Sequence, residues 1–411
     1  MLVLGALGAV AQEALKTARD DDRSVQAREL IRANETRRLK IGPWEGSMRL
    51  LYEGEFNDNV RATEVHREND FVQRPQLDFH GFLPVTTKGQ LSLGLGVGYS
   101  KYLSHAELDG LFLSPDSEIA YDVSVKDLKF TFYDRFIYSR EVETVGALSG
   151  VAQFPRAENT VGTRVTWVPS RWTYQLGYSH FNFISEGQDF NHLNRSSEQF
   201  LARVAYGLAP ATQIGAEFSV ALSGYTGQTQ ADNDGYSVGP YAEWKITETL
   251  SLSIRSGLTY YSFDSLPATP TTPRVSAYNL QTYYSGLEVN HRLTDSILHG
   301  LSFAHEIRPG INQGSDYLES TEASYRASWV LTRNTTLGAK LLFEHGIEQR
   351  RGLFGSTTEE YERFGGGVSG SYKLSKRITL TGAFNYLRRT SNEAGRNYFQ
   401  SRASLALGYQ F

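Results

Sequence analysis

Opposite charges set two residues apart recur along this chain. Glu306 with Arg308, and Glu243 with Lys245, would point the same way if their segments were extended. Alternate residues of a strand share a face and lie about 7 Å apart. Glu322 and Arg326, four apart, would share a face as well. Carried through every extended segment, this parity collects charges of both signs on one side. The basic members are Arg74, Arg164, Arg203, Arg255 and Arg292, followed by Arg308, Arg326, Lys340, Arg363 and Arg402. The acidic members are Asp78, Glu118, Asp122, Glu217 and Glu243, followed by Glu288, Glu306, Glu322 and Glu344. Two kinds of chemistry are open to such a surface. The charges can pair across strands, holding a wall together and keeping an interior wet. Alternatively, the arginines with Tyr133, Tyr241, Tyr261 and Tyr284 can form a track for an acidic or neutral polysaccharide, since guanidinium forks bind carboxylates and tyrosine faces stack on sugars. A simple anion pore would be more uniformly basic.

Catalytic patterns are thin. No His-Glu-x-x-His, Gly-x-Ser-x-Gly, phosphate-binding loop or calcium-loop motif occurs. His80 shares the charged face with Asp78, whereas His299, His305 and His345 fall on the opposite parity. Such a lone histidine reads as structural, and no catalytic residue is assigned. Asn57-Asp58-Asn59 and Asp232-Asn233-Asp234 gather hard oxygen donors of the kind calcium takes, and loop solvation accounts for the second run. No metal and no cofactor is expected. The absence of Cys removes disulfides, thiol nucleophiles and thiolate metal sites together. A net charge of −4 with no basic tract excludes nucleic acid as a partner.

The elements that would position these charges are strands. From Gly46 onward the chain falls into segments of roughly 10 to 15 residues with period-two alternation, as transmembrane strands do. In Gln90 to Tyr99, one face carries Leu91, Leu93, Leu95, Val97 and Tyr99, and the other carries only Ser and Gly. The first predicts contact with lipid and the second with a lumen. The links alternate too. Tight ones occur at 125–127, 168–171, 208–210, 246–249, 293–295, 331–334 and 374–377. Longer ones at 104–115, 142–155, 185–194, 224–234 and 264–273 separate them. Short turns on one rim and long loops on the other are the habit of bacterial outer-membrane barrels. The expectation is an all-β, transmembrane up-and-down antiparallel barrel of about eighteen strands over residues 46–411. Two residues fit poorly. Pro75 cannot donate to the ladder of its strand, and Asp134 falls among Phe130, Phe132 and Phe136 on the lipid side unless a bulge turns it inward.

Composition agrees with this reading. The 411 residues include 24 Tyr, 22 Phe and 38 Gly, which suits strands with aromatic girdles. Mean hydropathy is −0.39, and no run approaches the roughly 18 apolar residues of a spanning helix. Trp167, Trp172, Tyr206, Trp244, Trp329 and Tyr372 gather beside the tight links, at the depth of an interfacial girdle. At the far end, Leu407, Tyr409 and Phe411 share one face of the last strand. This resembles the C-terminal signal read by the barrel-assembly machinery.

Residues before the strands differ. Leu2 to Ala11 is an apolar run ending in Ala9-Val10-Ala11, a small-x-small pattern, and reads as a signal peptide over 1–11 without its basic start. Residues 12–45 are dense in charge and predict a periplasmic arm, partly helical: a docking arm, a plug or a solvated leader.

The segment Leu50 to Val60, a first strand running into Asn57-Asp58-Asn59-Val60, resembles the β-barrel porin 2 family. That resemblance implies an outer-membrane protein linked with exopolysaccharide or capsule systems, and in some members a conduit for polysaccharide secretion. It implies no catalytic or binding residues. The resulting expectation is a non-enzymatic outer-membrane channel exporting a polysaccharide with a periplasmic partner. The alternatives are a general or sugar-uptake porin and a plugged structural or adhesive barrel. Its partners would be outer-membrane lipid, the assembly machinery and a periplasmic polysaccharide-export protein.

Overall fold

A computed structural model describes residues 13–34, 39–142, 145–227, 229–268, 274–352 and 355–411. The expected signal peptide lies outside these residues. A helix, α1 (Glu13–Asn34), precedes a short ribbon, Leu39–Ile41, folded on the first wall strand. The wall then runs β1 (Trp44–Asn57), β2 (Asp70–Pro84), β3 (Gly89–Tyr102), β4 in two pieces (Gly110–Leu113 and Glu118–Val125), β5 (Leu128–Ser139) and β6 (Arg156–Trp167). It continues with β7 (Trp172–Ser185), β8 (Arg195–Ala209), β9 (Thr212–Tyr225), β10 (Asn233–Lys245), β11 (Leu250–Phe263) and β12 (Tyr278–Thr294). The last six are β13 (Ile297–Pro309), β14 (Tyr317–Val330), β15 (Thr335–Gly352), β16 (Gly355–Lys373), β17 (Ile378–Ser391) and β18 (Tyr398–Gln410).

Each strand pairs antiparallel with the next, and β18 pairs with β1 from Arg49 opposite Gln410 to Asn57 opposite Arg402. The sheet therefore closes as an eighteen-stranded barrel with no free edge. Both pieces of β4 lie between β3 and β5. The break between them is bridged by the Ser114 N–H to the Gly96 carbonyl at 2.8 Å and the Phe136 N–H to the Ser117 carbonyl at 3.1 Å.

The outer surface is apolar. Leu95, Phe132, Leu176, Phe218, Leu258, Leu301, Phe343 and Leu405, on eight strands spread around the barrel, are all exposed. Water would penalise such a continuous band, and lipid would not. At the tight-turn rim the girdle is present: Trp167 stacks on Tyr174 at 5.3 Å and Trp172 meets Tyr206 at 4.9 Å. A closed antiparallel barrel with an apolar outer belt, an interfacial girdle and rim-sorted loops is a bacterial outer-membrane barrel.

Both misfits have an answer. Pro75 pairs with Tyr52 on β1 but leaves a gap toward β3, where the ladder jumps from Gln73 opposite Lys101 to Gln76 opposite Gly98. The register is kept because only one donor is missing. Asp134 corrects the expectation of a bulge: it keeps ordinary register opposite Ile119 and Val161 and stays on the outer face. There the Asn159 side-chain amide donates to it at 2.6 Å, supplying the partner that a turn inward would have supplied.

Candidate functional site

The face opposite the belt bounds the lumen, and its charges meet across strands. Arg308 reaches Glu306 at 3.4 Å, Glu322 at 3.3 Å and Glu344 at 3.2 Å. Glu344 also accepts from Arg363 and, at 2.9 Å, from the Tyr361 hydroxyl. Both Glu344 and Arg363 are buried. Elsewhere Arg74 pairs with Glu55 at 3.0 Å, Arg402 with Glu55 at 3.5 Å, Arg203 with Glu217 at 3.2 Å and Arg326 with Glu288 at 3.1 Å. Arg255 lies 3.8 Å from Glu217. Glu243 accepts from Gln213 near the tight-turn rim. By strand parity Arg292 and Lys340 also face inward.

Residues outside that list carry equal weight. Asp78 is held by Arg49 at 2.7 Å and by Gln76, so its neighbour in the predicted pair, His80, is not its partner among the described hydrogen bonds. The oxygen-rich loops serve their own backbone. Asn57 accepts the Asn59 N–H at 3.0 Å, Asp58 the Ser401 N–H at 2.7 Å and Asp232 the Tyr225 N–H at 2.7 Å.

Helix α1 lies inside the barrel. The sequence suggested a periplasmic arm with a plug among its readings, and the side chains from Leu15 to Arg28 engage the inner wall. Leu15 and Ala18 pack on Leu201 and Tyr284. Arg19 pairs with Glu306 on β13 at 3.3 Å, while Arg28 pairs with Glu118 and, at 3.4 Å, with Asp122 on β4. Strands 4 and 13 of eighteen face each other across a closed barrel, so the helix bridges opposite walls. Between these ends, Arg135 donates to Asp21 at 3.0 Å, and Asp22 receives Arg164 at 2.7 Å on one oxygen and Arg203 at 2.9 Å on the other. A helix whose acids meet wall arginines and whose arginines meet wall acids is docked by complementarity of charge.

A second obstruction enters from the long-loop rim. The described part of the β5–β6 loop from residue 145 onward turns inward and is gripped by the far wall at Gly146 and Ala147. Arg389 on β17 donates to the Gly146 carbonyl at 2.9 Å, and Arg396 donates to the Ala147 carbonyl at 2.6 Å. Gly146 sits so close to β15 and β16 that a Cβ there would lie 2.6 Å from a Glu344 oxygen and 2.8 Å from the Tyr361 hydroxyl. Only glycine permits this approach. Val142, Leu148 and Phe154 pack with Phe181, Phe183 and Leu193 into an apolar cluster above the lumen. The neighbouring loops lock onto it: His192 Nε2 lies 2.9 Å from the Ile311 carbonyl, and Gln230 donates to the carbonyls of Gly310 and Ser315. Burial pushes the His192 pKa below its ordinary value, since a charged ring there loses its hydration.

The tyrosines of the expected sugar track are largely covered. Tyr284 lies under Leu15 and Ala18 and donates to Glu217 at 3.1 Å. Tyr261 belongs to the apolar cluster with Phe263 and Ile307, and Tyr133 is buried. Parity of the strands revealed the wall charges; neither obstruction was legible that way. Their traces were the acidic run Asp20-Asp21-Asp22 with Arg19 before it and Arg28 further along, and the apolar residues of a loop expected to meet water.

No protein-family model matches the chain, and no curated protein matches it significantly. The likeness of Asn57 to Val60 to the porin 2 family therefore has no family model behind it. Solved structures that align with the chain include the outer-membrane protein OpdK of Pseudomonas aeruginosa, at 10% identity over 89% of this chain and 99% of that one, with a TM-score of 0.49. OccK2 (OpdF) of the same organism aligns at 12% identity over 91% and 99%, with a TM-score of 0.48. OmpT of Vibrio cholerae aligns at 12% identity over 91% and 100%, with a TM-score of 0.41. These likenesses are weak in sequence and in superposition, and the fold stands on strand pairing instead.

Proposed function

We propose that this chain is a non-enzymatic outer-membrane channel for uptake of small charged solutes, kept narrow by α1 and by loop 140–155. The observation that carries this reading is the loop itself: it crosses from β5 and β6 to β15–β17 and is held there by Arg389 and Arg396. A wall whose only task was to be rigid would gain nothing from a loop inserted into its lumen. Around the constriction stand arginines and carboxylates of both signs, the lining a small charged solute would meet. Export of a polysaccharide has less support, because Tyr133, Tyr261 and Tyr284 are buried and the two insertions oppose the passage of a polymer. A periplasmic export partner has no support of its own. Insertion by the barrel-assembly machinery through Leu407, Tyr409 and Phe411 belongs to the same proposal.

Purified protein in planar bilayers tests it. Small resolved current steps are expected, with larger steps after deletion of residues 13–34, and liposomes should swell in small amino acids but not in oligosaccharides. Absence of current from both forms would rule the channel out and leave the plugged structural barrel.

A further inference from the structure

The wall between β5 and β8 carries three arginines to which the barrel itself supplies two carboxylate partners. Arg135 keeps Glu118 at 3.1 Å, and Arg203 keeps Glu217 at 3.2 Å. Arg164, among the described residues, has Asp22 as its single ion-pair partner. All three belong to the wall, whereas the carboxylates that complete their pairing, Asp21 and Asp22, belong to α1. Asp22 uses each oxygen for a different arginine, at 2.7 and 2.9 Å, and the adjacent Asp21 takes Arg135 at 3.0 Å. Arg164 and Arg203 are nearly covered, with side chains 7% and 9% exposed. Desolvated guanidinium groups without anions would be costly.

We infer that Arg135, Arg164 and Arg203 form an anion site whose resident occupant is the Asp21–Asp22 pair of α1 and whose external ligand is a small dicarboxylate. This rests on the channel reading only for its purpose, since the site itself is defined by the wall and the helix. Two neighbouring carboxylates, one shared between two guanidinium forks, are the chemistry that a dicarboxylate reproduces. A ligand binding only where the helix has left shifts the helix outward by its differential affinity. The chain's own acids then act as a tethered competitor, and cargo opens its own path.

The chain contains no cysteine, so Ala18→Cys, at a position 4% exposed beneath the helix, gives a single thiol that reports release of α1. The full-length barrel carrying A18C is treated with a bulky maleimide in succinate and in potassium chloride of equal ionic strength. Succinate should speed labelling by about tenfold, the scale of ordinary coupling between ligand and conformer. Adding D21N and D22N, or R164Q as a second route, should give fast labelling that no longer responds to succinate. Equal rates in succinate and chloride, or a D21N/D22N protein as protected as its parent, would overturn the inference. Bilayer current from the same proteins separates the two readings. Current from these proteins, with A18C labelling equal in succinate and chloride, leaves the channel and removes the ligand site. A succinate response without current from any variant leaves the site and removes the channel.

Discussion

Arg389 donates its Nε hydrogen to the carbonyl of Gly146 over 2.9 Å, tying the seventeenth wall strand to a loop that leaves the barrel between the fifth and sixth. The same guanidinium pairs with Glu359 at 2.6 Å, and both side chains are fully buried. One residue therefore holds the constriction and neutralises a buried acid.

Arg389→Ala should free the loop and leave Glu359 with Arg396 and Ser391 as its remaining partners. Loss of one partner from a buried carboxylate costs about 2 kcal/mol. The expected outcome is a larger single-channel conductance together with a lower midpoint of thermal unfolding on heat-modifiable gels. Unchanged conductance would show that the loop is held by other contacts.

Gly146→Val tests the loop from the other side. Its Cβ would fall 2.6 Å from Glu344 and 2.8 Å from Tyr361, atoms fixed by the pairing of Glu344 with Arg363 and Arg308. The wall cannot yield cheaply, so the loop should move, and conductance should rise without loss of the folded barrel. A fall in conductance would mean that the loop had been driven further in.

His192 predicts a dependence on pH. Its folded pKa is depressed by burial, against accepting backbone carbonyls and Glu348 that raise it. A depressed group binds protons more weakly in the docked loop than in the released one. Docking is then fully favoured above the ordinary value of 6.5 and weakens as pH falls below it toward the folded value. Hydrogen-exchange protection around Ile311, taken relative to the intrinsic rate at each pH, should fall between pH 7.5 and 5, and His192→Gln should remove that response. An identical pH profile in the variant would assign the effect elsewhere.

Deleting Phe411 should impair assembly in cells. Phe411 meets Tyr409 edge-on at 4.8 Å, and its N–H donates to the Met48 carbonyl at 2.9 Å, at the seam where β18 closes on β1. A marked drop in heat-modifiable barrel in the outer membrane is expected. Normal yield of the shortened chain would deny the terminal aromatic this role.

Much of this protein could be read from order along the chain. Period-two alternation assigned the inner and outer faces, because a strand side chain has only two directions to take. Links such as 168–171 and 331–334 placed the short turns, and Phe411 with Tyr409 marked the closing strand. Asp134 resisted, because parity reports a direction and cannot see that Asn159 on the next strand provides a partner. What only the tertiary structure decided is what fills the barrel. The meeting of Arg28 with Glu118, of Asp22 with Arg164, and of Gly146 with Arg389 joins residues 90, 142 and 243 positions apart. No local period encodes such contacts. They arise when a closed wall brings opposite strands within reach of one helix and one loop, and charge and shape then select the partners.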